Sequence, residues 1–132
     1  MFGVTAQHAS AVCVLNVQGV IFGSYDVFSI TNLASTGNID VICTPSSAYS
    51  ITLNAGTGSY ASRIMSSGAN QLNYNLYTDA TYTSVWGDGT GGSSVVNGNA
   101  LTANHTVYGR IPARQNVPVG NYADTITVTI TF

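Results

Sequence analysis

The chain contains no lysine and no glutamate, and charged residues make up only 6% of it. Soluble domains usually carry about 25% charged residues. Three arginines and five aspartates leave a net charge of -2, so there is no basic surface for nucleic acid. The polar surface must come from Ser, Thr, Asn, Gln and Gly residues, which suits a protein that packs densely against copies of itself. Secreted β-sandwich binding modules have similar compositions and stay open as an alternative.

Groups that perform acid–base chemistry are equally scarce. The five aspartates are scattered singly, no G-x-S-x-G elbow is present, and a role in a turn or at a strand end explains each of them: Asp26, Asp40, Asp79, Asp88 and Asp124. We therefore predict that the chain is not an enzyme and has no catalytic residue, no metal site and no cofactor. Calcium at Asp79 or Asp88 is the weaker alternative to a turn.

Two features could suggest a ligand, and each has a simpler explanation. The glycine-rich run from Gly87 to Gly92 lacks the lysine and the following helix of a phosphate-binding loop. Trp86 and the eight tyrosines could stack on sugars, but in a β-sandwich such rings more often fill the core or an interface.

The sequence has only two cysteines, Cys13 and Cys43, which allow a single pairing. Both lie in apolar runs that favour strands, so we predict a disulfide between neighbouring strands, with Cα atoms about 4.4–6.8 Å apart. A disulfide implies an oxidising compartment such as the periplasm or the cell exterior. Met1–Ala11 lacks the features of a signal peptide, so we expect a mature, trimmed or late-starting chain. No apolar run reaches about 18 residues, and we predict no membrane span.

Apolar residues alternate with polar ones along most of the chain, interrupted by Gly, Asn, Ser and Pro clusters. This pattern predicts an all-β sandwich without a convincing helix, although residues 57–69 could carry one short turn. Leu72, Tyr74 and Leu76 form one row, with Asn73 and Asn75 predicted to face outwards. The last row is the most regular, with threonines on its opposite face: Ile126, Val128, Ile130 and Phe132. We predict that it is a full member of a sheet.

Several segments, in order, resemble the spore coat protein U domain shared by archaic chaperone–usher pilins. They cover nearly the whole chain from Cys13 to Phe132. The segments are VIFGSYD at 20–26, YSITLNAG at 49–56 after the second Cys, LNYNLYTD at 72–79, VWGDGT at 85–90, YGRIP at 108–112 and GNYADTITVTI at 120–130.

The resemblance implies an incomplete immunoglobulin-like β-sandwich, with residues 1–132 as one pilin-type domain. In such pilins a missing strand leaves an apolar groove, which a chaperone strand fills first and the N-terminal extension of the next subunit fills in the fibre. We therefore expect a secreted structural subunit of a pilus or coat, a homopolymer assembled with a periplasmic chaperone and an outer-membrane usher, acting in surface attachment or biofilm formation. A single-domain adhesin or carbohydrate-binding module is the alternative; tip adhesins of the family have two domains, which favours a shaft subunit.

The two ends of the chain carry the predicted assembly residues. Residues 1–10 are a possible donor strand, shorter than the stretch that family members usually carry before the first cysteine. Phe2, Val4 and Ala6 alternate there, and two interpretations stay open: they begin the first strand of their own domain, or they enter the core of a neighbour, as we predict. The C-terminal row is predicted to border the groove and to pair with the chaperone and then the donor; an ordinary closed strand is the alternative.

Overall fold

A computed structural model describes residues 11–132; the predicted donor residues Phe2, Val4 and Ala6 lie outside this range. Within it the chain forms strands and no helix. The strands are β1 (Val12–Gln18), β2 (Leu33–Leu53), β3 (Arg63–Ser67), β4 (Asn70–Tyr77), β5 (Val96–Ile111) and β6 (Val128–Thr131). The β-branched and aromatic residues that alternate along these segments favour a pleated, half-buried surface.

The strands form one antiparallel sheet in the order β1-β2-β5-β4-β3, with β6 paired to β2. Strand β2 is 21 residues long and pairs with β5 along nearly its whole length, with a register shift between Ile42 and Ser47. Because β5 occupies one edge of β2, the other two strands share the opposite edge. β1 pairs with residues 38–44 of β2, and β6 pairs with Ser50–Leu53.

The sheet curls until its far edge approaches β1. Ala123 exchanges main-chain hydrogen bonds of 2.8 and 3.0 Å with Ser66 of β3, so residues 121–125 continue the sheet beyond β3. All pairings from β1 to this segment are antiparallel, and residues 121–125 therefore run opposite to β1. A gap separates the two, so the predicted incomplete all-β fold is confirmed, as a curled open sheet.

The inward row of each strand supplies the core. The core holds Ile39, Val41, Ile51, Leu53, Leu72 and Ile111, each at most 2% exposed. Trp86 is also core, 1% exposed, and its indole Nε1 donates a hydrogen bond of 3.0 Å to the carbonyl of Ile51. The disulfide joins β1 to β2, with the sulfurs of Cys13 and Cys43 2.09 Å apart and the Cα atoms 4.0 Å apart. This Cα distance falls below the predicted range; the two cysteines lie directly opposite each other in the ladder.

Two local predictions were wrong. Asn75, expected to face outwards, is 5% exposed, because its side chain meets the buried guanidinium of Arg63. Residues 57–69, which could have carried a turn of helix, contain β3 instead. Arg63 and Met65 are the buried residues of that strand, so an arginine occupies a position that an apolar residue would normally take.

Candidate strand-binding cleft

A cleft of about 580 Å³ lies where the curled sheet fails to close. Residues 17–23 form one rim, and residues 121–126 with Val128 form the other. The floor is the hydrophobic core itself, comprising Ile39, Leu53, Met65, Tyr74, Leu76 and Val107. The cleft is therefore long, narrow and apolar, bounded by two stretches of extended chain.

The first rim continues β1, and its residues 19–23 are an apolar run that has no sheet partner among residues 11–132. Val20 and Phe22 are half-buried and pack against the core, and the ring of Phe22 meets Tyr74 edge to face, with centroids 6.2 Å apart. Ile21, between them, is 82% exposed. Among residues 11–132, residues 19–23 make no main-chain hydrogen bond. Their N–H and C=O groups are open to an additional strand.

The second rim alternates between cleft and solvent. Tyr122, Asp124, Ile126 and Val128 are half-buried, and the residues between them are exposed. The main chain of Ala123 and Thr127 bonds to Ser66 and Asn54 on the sheet side. Neighbouring residues of a strand direct their N–H and C=O to opposite edges. Those of Asp124 and Ile126 accordingly face the cleft, where they have no main-chain partner within the described range.

One end of the cleft is closed by Tyr25. Its main-chain N–H donates a hydrogen bond of 2.9 Å to the carbonyl of Gly120. Its hydroxyl donates to the carbonyl of Pro112 and accepts from the N–H of Gln115, both at 2.9 Å. Tyr25 is 3% exposed and fixes the distance between the two rims at this end. Counting four residues along each rim from the antiparallel Tyr25–Gly120 bridge places Ile21 across the cleft from Asp124.

Asp124 is the single charged side chain among the described residues that line the cleft. Its Oδ2 accepts a hydrogen bond of 2.7 Å from the hydroxyl of Tyr74, and its Oδ1 accepts one of 2.9 Å from the hydroxyl of Thr57. Burial, followed by the hydrogen bond to Asp124, raises the pKa of Tyr74 far above its ordinary value. Tyr74 therefore stays protonated and keeps donating to the carboxylate at any physiological pH.

A buried arginine lies next to the cleft floor, since Arg63 is opposite Tyr74 in the β3–β4 ladder. Arg63 is 0% exposed. Its guanidinium donates hydrogen bonds of 2.6 Å to the carbonyl of Trp86, 2.8 Å to that of Asn54 and 2.8 Å to the side-chain oxygen of Asn75. Desolvation lowers the pKa of Arg63 from its ordinary value, but an arginine remains charged inside proteins. Sequence reasoning missed this residue; its only signal is its place in the alternating triplet Arg63-Ile64-Met65.

The Spore Coat Protein U domain matches residues 1–129. The chain belongs to this family. Protein U of Myxococcus xanthus is 38% identical over 125 residues, covering 84% of this chain and 70% of that protein. The family resemblance inferred from the ordered motifs is thus confirmed.

A solved structure shares the fold of this spore coat U domain. It is a chain in the crystal structure of the CsuC–CsuE chaperone–tip adhesion subunit pre-assembly complex from archaic chaperone–usher Csu pili of Acinetobacter baumannii, with a TM-score of 0.67 and 23% identity. The match covers 93% of this chain but 40% of that one. At this identity the likeness shows the fold, which is that of a chaperone–usher pilin.

The structure brings some of the predicted assembly residues together at the cleft. Ile126 and Val128 line it, and Ile130 is half-buried opposite Ile51. Phe132 departs from the row: β6 ends at Thr131, and Phe132 is 56% exposed. Sequence reasoning did not assign the first rim, although Val20 and Phe22 belong to the motif at 20–26. The assembly role of these residues remains a prediction.

The aspartates suggested as calcium ligands organise loops. Asp79 accepts hydrogen bonds from the hydroxyls of Thr81 and Thr83 and from the main-chain N–H groups of Thr83 and Ser84. These bonds, led by the two hydroxyls, hold the pKa of Asp79 well below its ordinary value. Asp88 caps the main-chain N–H of Thr90. Across residues 11–132, no three His, Cys, Asp or Glu side chains form a group that could hold a metal, and no helix is long and apolar enough to cross a membrane.

Proposed function

We propose that this spore coat U domain is a structural subunit of an extracellular chaperone–usher-type pilus or surface coat. In this proposal subunits polymerise by donor-strand complementation, with residues 1–10 of one copy entering the cleft of the next and residues 1–132 acting as one domain. The observation that carries the proposal is the pair of cleft rims, 19–23 and 121–126, whose main-chain groups have no partner on the cleft side among residues 11–132.

An inserted strand would supply main-chain hydrogen-bond partners for the rims and would cover the apolar floor of the cleft. Its main chain can bond to either rim, as extended peptides do at open sheet edges. Its inward side chains can cover the floor, and each fully buried large apolar side chain contributes about 1.5–3 kcal/mol. Phe2, Val4 and Ala6 supply such a row at the spacing of a strand. The subunit therefore gains stability from its neighbour.

A cleft of this kind also explains why a chaperone and an usher would be needed. An apolar floor between two unpaired edges would aggregate during export, so a periplasmic chaperone must cover it until an outer-membrane usher passes the subunit into the fibre. The match to a subunit fold found in a chaperone–subunit complex supports this step. The Cys13–Cys43 disulfide fits an oxidising compartment. The assembled fibre would act outside the cell in surface attachment or biofilm formation.

The test compares two arginine substitutions at neighbouring positions. Filaments prepared from producing cells are counted by electron microscopy for the unmodified chain, for Val4→Arg and for Thr5→Arg. Val4→Arg should abolish filaments, because it places an unpaired charge on the apolar floor. Thr5→Arg should preserve them, because residue 5 faces the opposite side of the inserted strand. Normal filaments from Val4→Arg would show that the donor assignment is wrong.

A further inference from the structure

We propose that Asp124 fixes the register of the incoming N-terminal segment by binding His8. The donor then runs antiparallel to residues 121–128, with His8 opposite Asp124. This inference rests on the proposed donor-strand function and adds the register and the pair of residues that selects it.

The C-terminal row has a polar end and an apolar end. Asp124, Ile126, Val128 and Ile130 are all half-buried on one face, and the threonines between them are exposed. The carboxylate of Asp124 lies towards the closed end of the cleft, near the Tyr25–Gly120 bridge. From there to Ile130 the row is aliphatic. An occupant that matches it needs one polar group followed by three apolar ones, in a fixed direction.

The N-terminal segment carries the complementary row. Phe2, Val4 and Ala6 are apolar, and His8 follows at the same spacing of two. Antiparallel pairing with His8 opposite Asp124 sets Ala6 against Ile126, Val4 against Val128 and Phe2 against Ile130. Each row spans seven residues, about 20 Å in a strand. In the parallel direction Phe2 would meet the carboxylate, and His8 would lie among aliphatic side chains without a partner, which is costly.

Asp124 is prepared to accept one more hydrogen bond. Among residues 11–132, its Oδ1 accepts from Thr57 and from the main-chain N–H of Thr125, whereas its Oδ2 accepts from Tyr74 alone. Each carboxylate oxygen has about two acceptor positions, so one remains on Oδ2. Gly56 makes room for the carboxylate, since a Cβ at residue 56 would lie within van der Waals overlap of Oδ2. An imidazole N–H donated by the incoming strand would complete the set.

The direction of this strand requires a second copy of the chain. The two rims run antiparallel, so a strand antiparallel to residues 121–128 is parallel to β1. His8 would then lie near Ile21, which faces Asp124 across the cleft. From Ile21 back to Val12, the start of β1, nine residues span about 30 Å. The four residues from His8 to Val12 reach only about 14 Å, so a chain cannot fill its own cleft in this register.

Cysteine cross-linking tests the register in filaments of the full chain. Residues directly opposite each other in an antiparallel ladder lie about 4.5–5.5 Å apart at Cα, within reach of a disulfide. The double variant His8→Cys with Asp124→Cys should give a ladder of covalent multimers on a denaturing gel without reductant. The matched pair Phe2→Cys with Asp124→Cys, which reports the parallel direction, should give none. Peptide mass spectrometry identifies the linked residues and separates them from the native disulfide.

The outcomes distinguish this inference from the function beneath it. Cross-linking of the Phe2 pair, or filaments in which neither pair cross-links, would overturn the register while leaving donor-strand assembly in place. If the unmodified chain forms no filaments, the proposed function itself is wrong.

A charge test supplies a second readout. His8→Asp places two carboxylates together and should reduce filament yield at least about tenfold. Adding Asp124→Asn to the same chain should restore the yield, because it removes the repulsion while keeping the shape. If Asp124→Asn alone forms filaments but does not rescue His8→Asp, the two residues are not in contact.

Discussion

The guanidinium of Arg63 donates a hydrogen bond of 2.8 Å to the side-chain oxygen of Asn75, in a part of the core where both residues are at most 5% exposed. Asn75 in turn donates 2.8 Å to the carbonyl of Tyr60. These hydrogen bonds connect the loop after β2 to β4. They lie next to Tyr74, whose hydroxyl donates to Asp124. A buried cation that satisfies main-chain carbonyls thus organises the less regular side of the sheet.

Replacing Arg63 should be among the most damaging single changes in the chain. Arg63→Met keeps the volume but leaves the carbonyls of Asn54 and Trp86 and the side chain of Asn75 without their donor, which should cost about 3–5 kcal/mol of unfolding free energy. Urea unfolding of the disulfide-bonded protein measures it. Arg114→Gln, at an exposed arginine, should change stability by less than about 0.5 kcal/mol. Equal losses in the two variants would contradict the assigned role of Arg63.

The alternation of apolar and polar residues predicted the fold because most strands of this domain have one buried face and one exposed face. The rows from Ile39 to Cys43, from Leu72 to Leu76 and from Ile126 to Ile130 all appear in the structure with the expected sides inward. The order of motifs predicted the family, and the family predicted the missing strand.

Periodicity could not reveal the polar interior or the position of the cleft. Arg63 and Asn75 occupy inward positions because each satisfies the other and nearby carbonyls, and that relation exists only after the loop at 54–60 has folded against β4. Likewise the position of Ile21 across the cleft from Asp124 depends on the curl of the sheet. Local patterns carry no information about which edges the curl brings together.

The disulfide should contribute most of its stability through the unfolded chain. Cys13 and Cys43 are 30 residues apart, and closing a loop of this size is worth about 3–4 kcal/mol in the chain-entropy model. Reduction with dithiothreitol should lower the urea midpoint accordingly, as should the double change Cys13→Ser with Cys43→Ser. A reduced protein as stable as the oxidised one would contradict this estimate.

His105 should make the subunit less stable in mild acid. Its Nε2 lies 2.7 Å from the hydroxyl of Tyr49, and burial lowers the pKa of His105 below its ordinary value. Because the unfolded state binds the proton more readily, stability should fall as the pH drops through the unfolded pKa of about 6.5 towards the folded one.

Thermal melting between pH 7.5 and pH 5.5 would measure this dependence. The variant His105→Gln should show a weaker pH dependence, and the control His8→Gln, compared in the monomer, should keep the dependence of the parent. A parent whose melting temperature rises on acidification would contradict the sign.

The last prediction compares Ile126, which lines the cleft, with Ile51, which lies in the core. Ile126 is half-buried and lines the cleft, whereas Ile51 is 0% exposed and lies opposite Ile130 on the sheet side. Truncating Ile51 to alanine should cost about 2–5 kcal/mol of unfolding free energy, since it opens a cavity. Truncating Ile126 should cost the monomer less, because part of its surface already faces the open cleft.

Donor capture should show the reverse order. A monomer blocked from self-assembly by Val4→Arg can be titrated with a synthetic peptide of residues 1–10, and its affinity can be compared with its unfolding free energy. Ile126→Ala should weaken peptide binding about tenfold or more, because the peptide loses the side chain against which Ala6 and its neighbours pack. Ile51→Ala should leave affinity nearly unchanged wherever the protein remains folded. If Ile126→Ala lowers melting without lowering affinity, its side chain belongs to the closed core and the donor binds elsewhere.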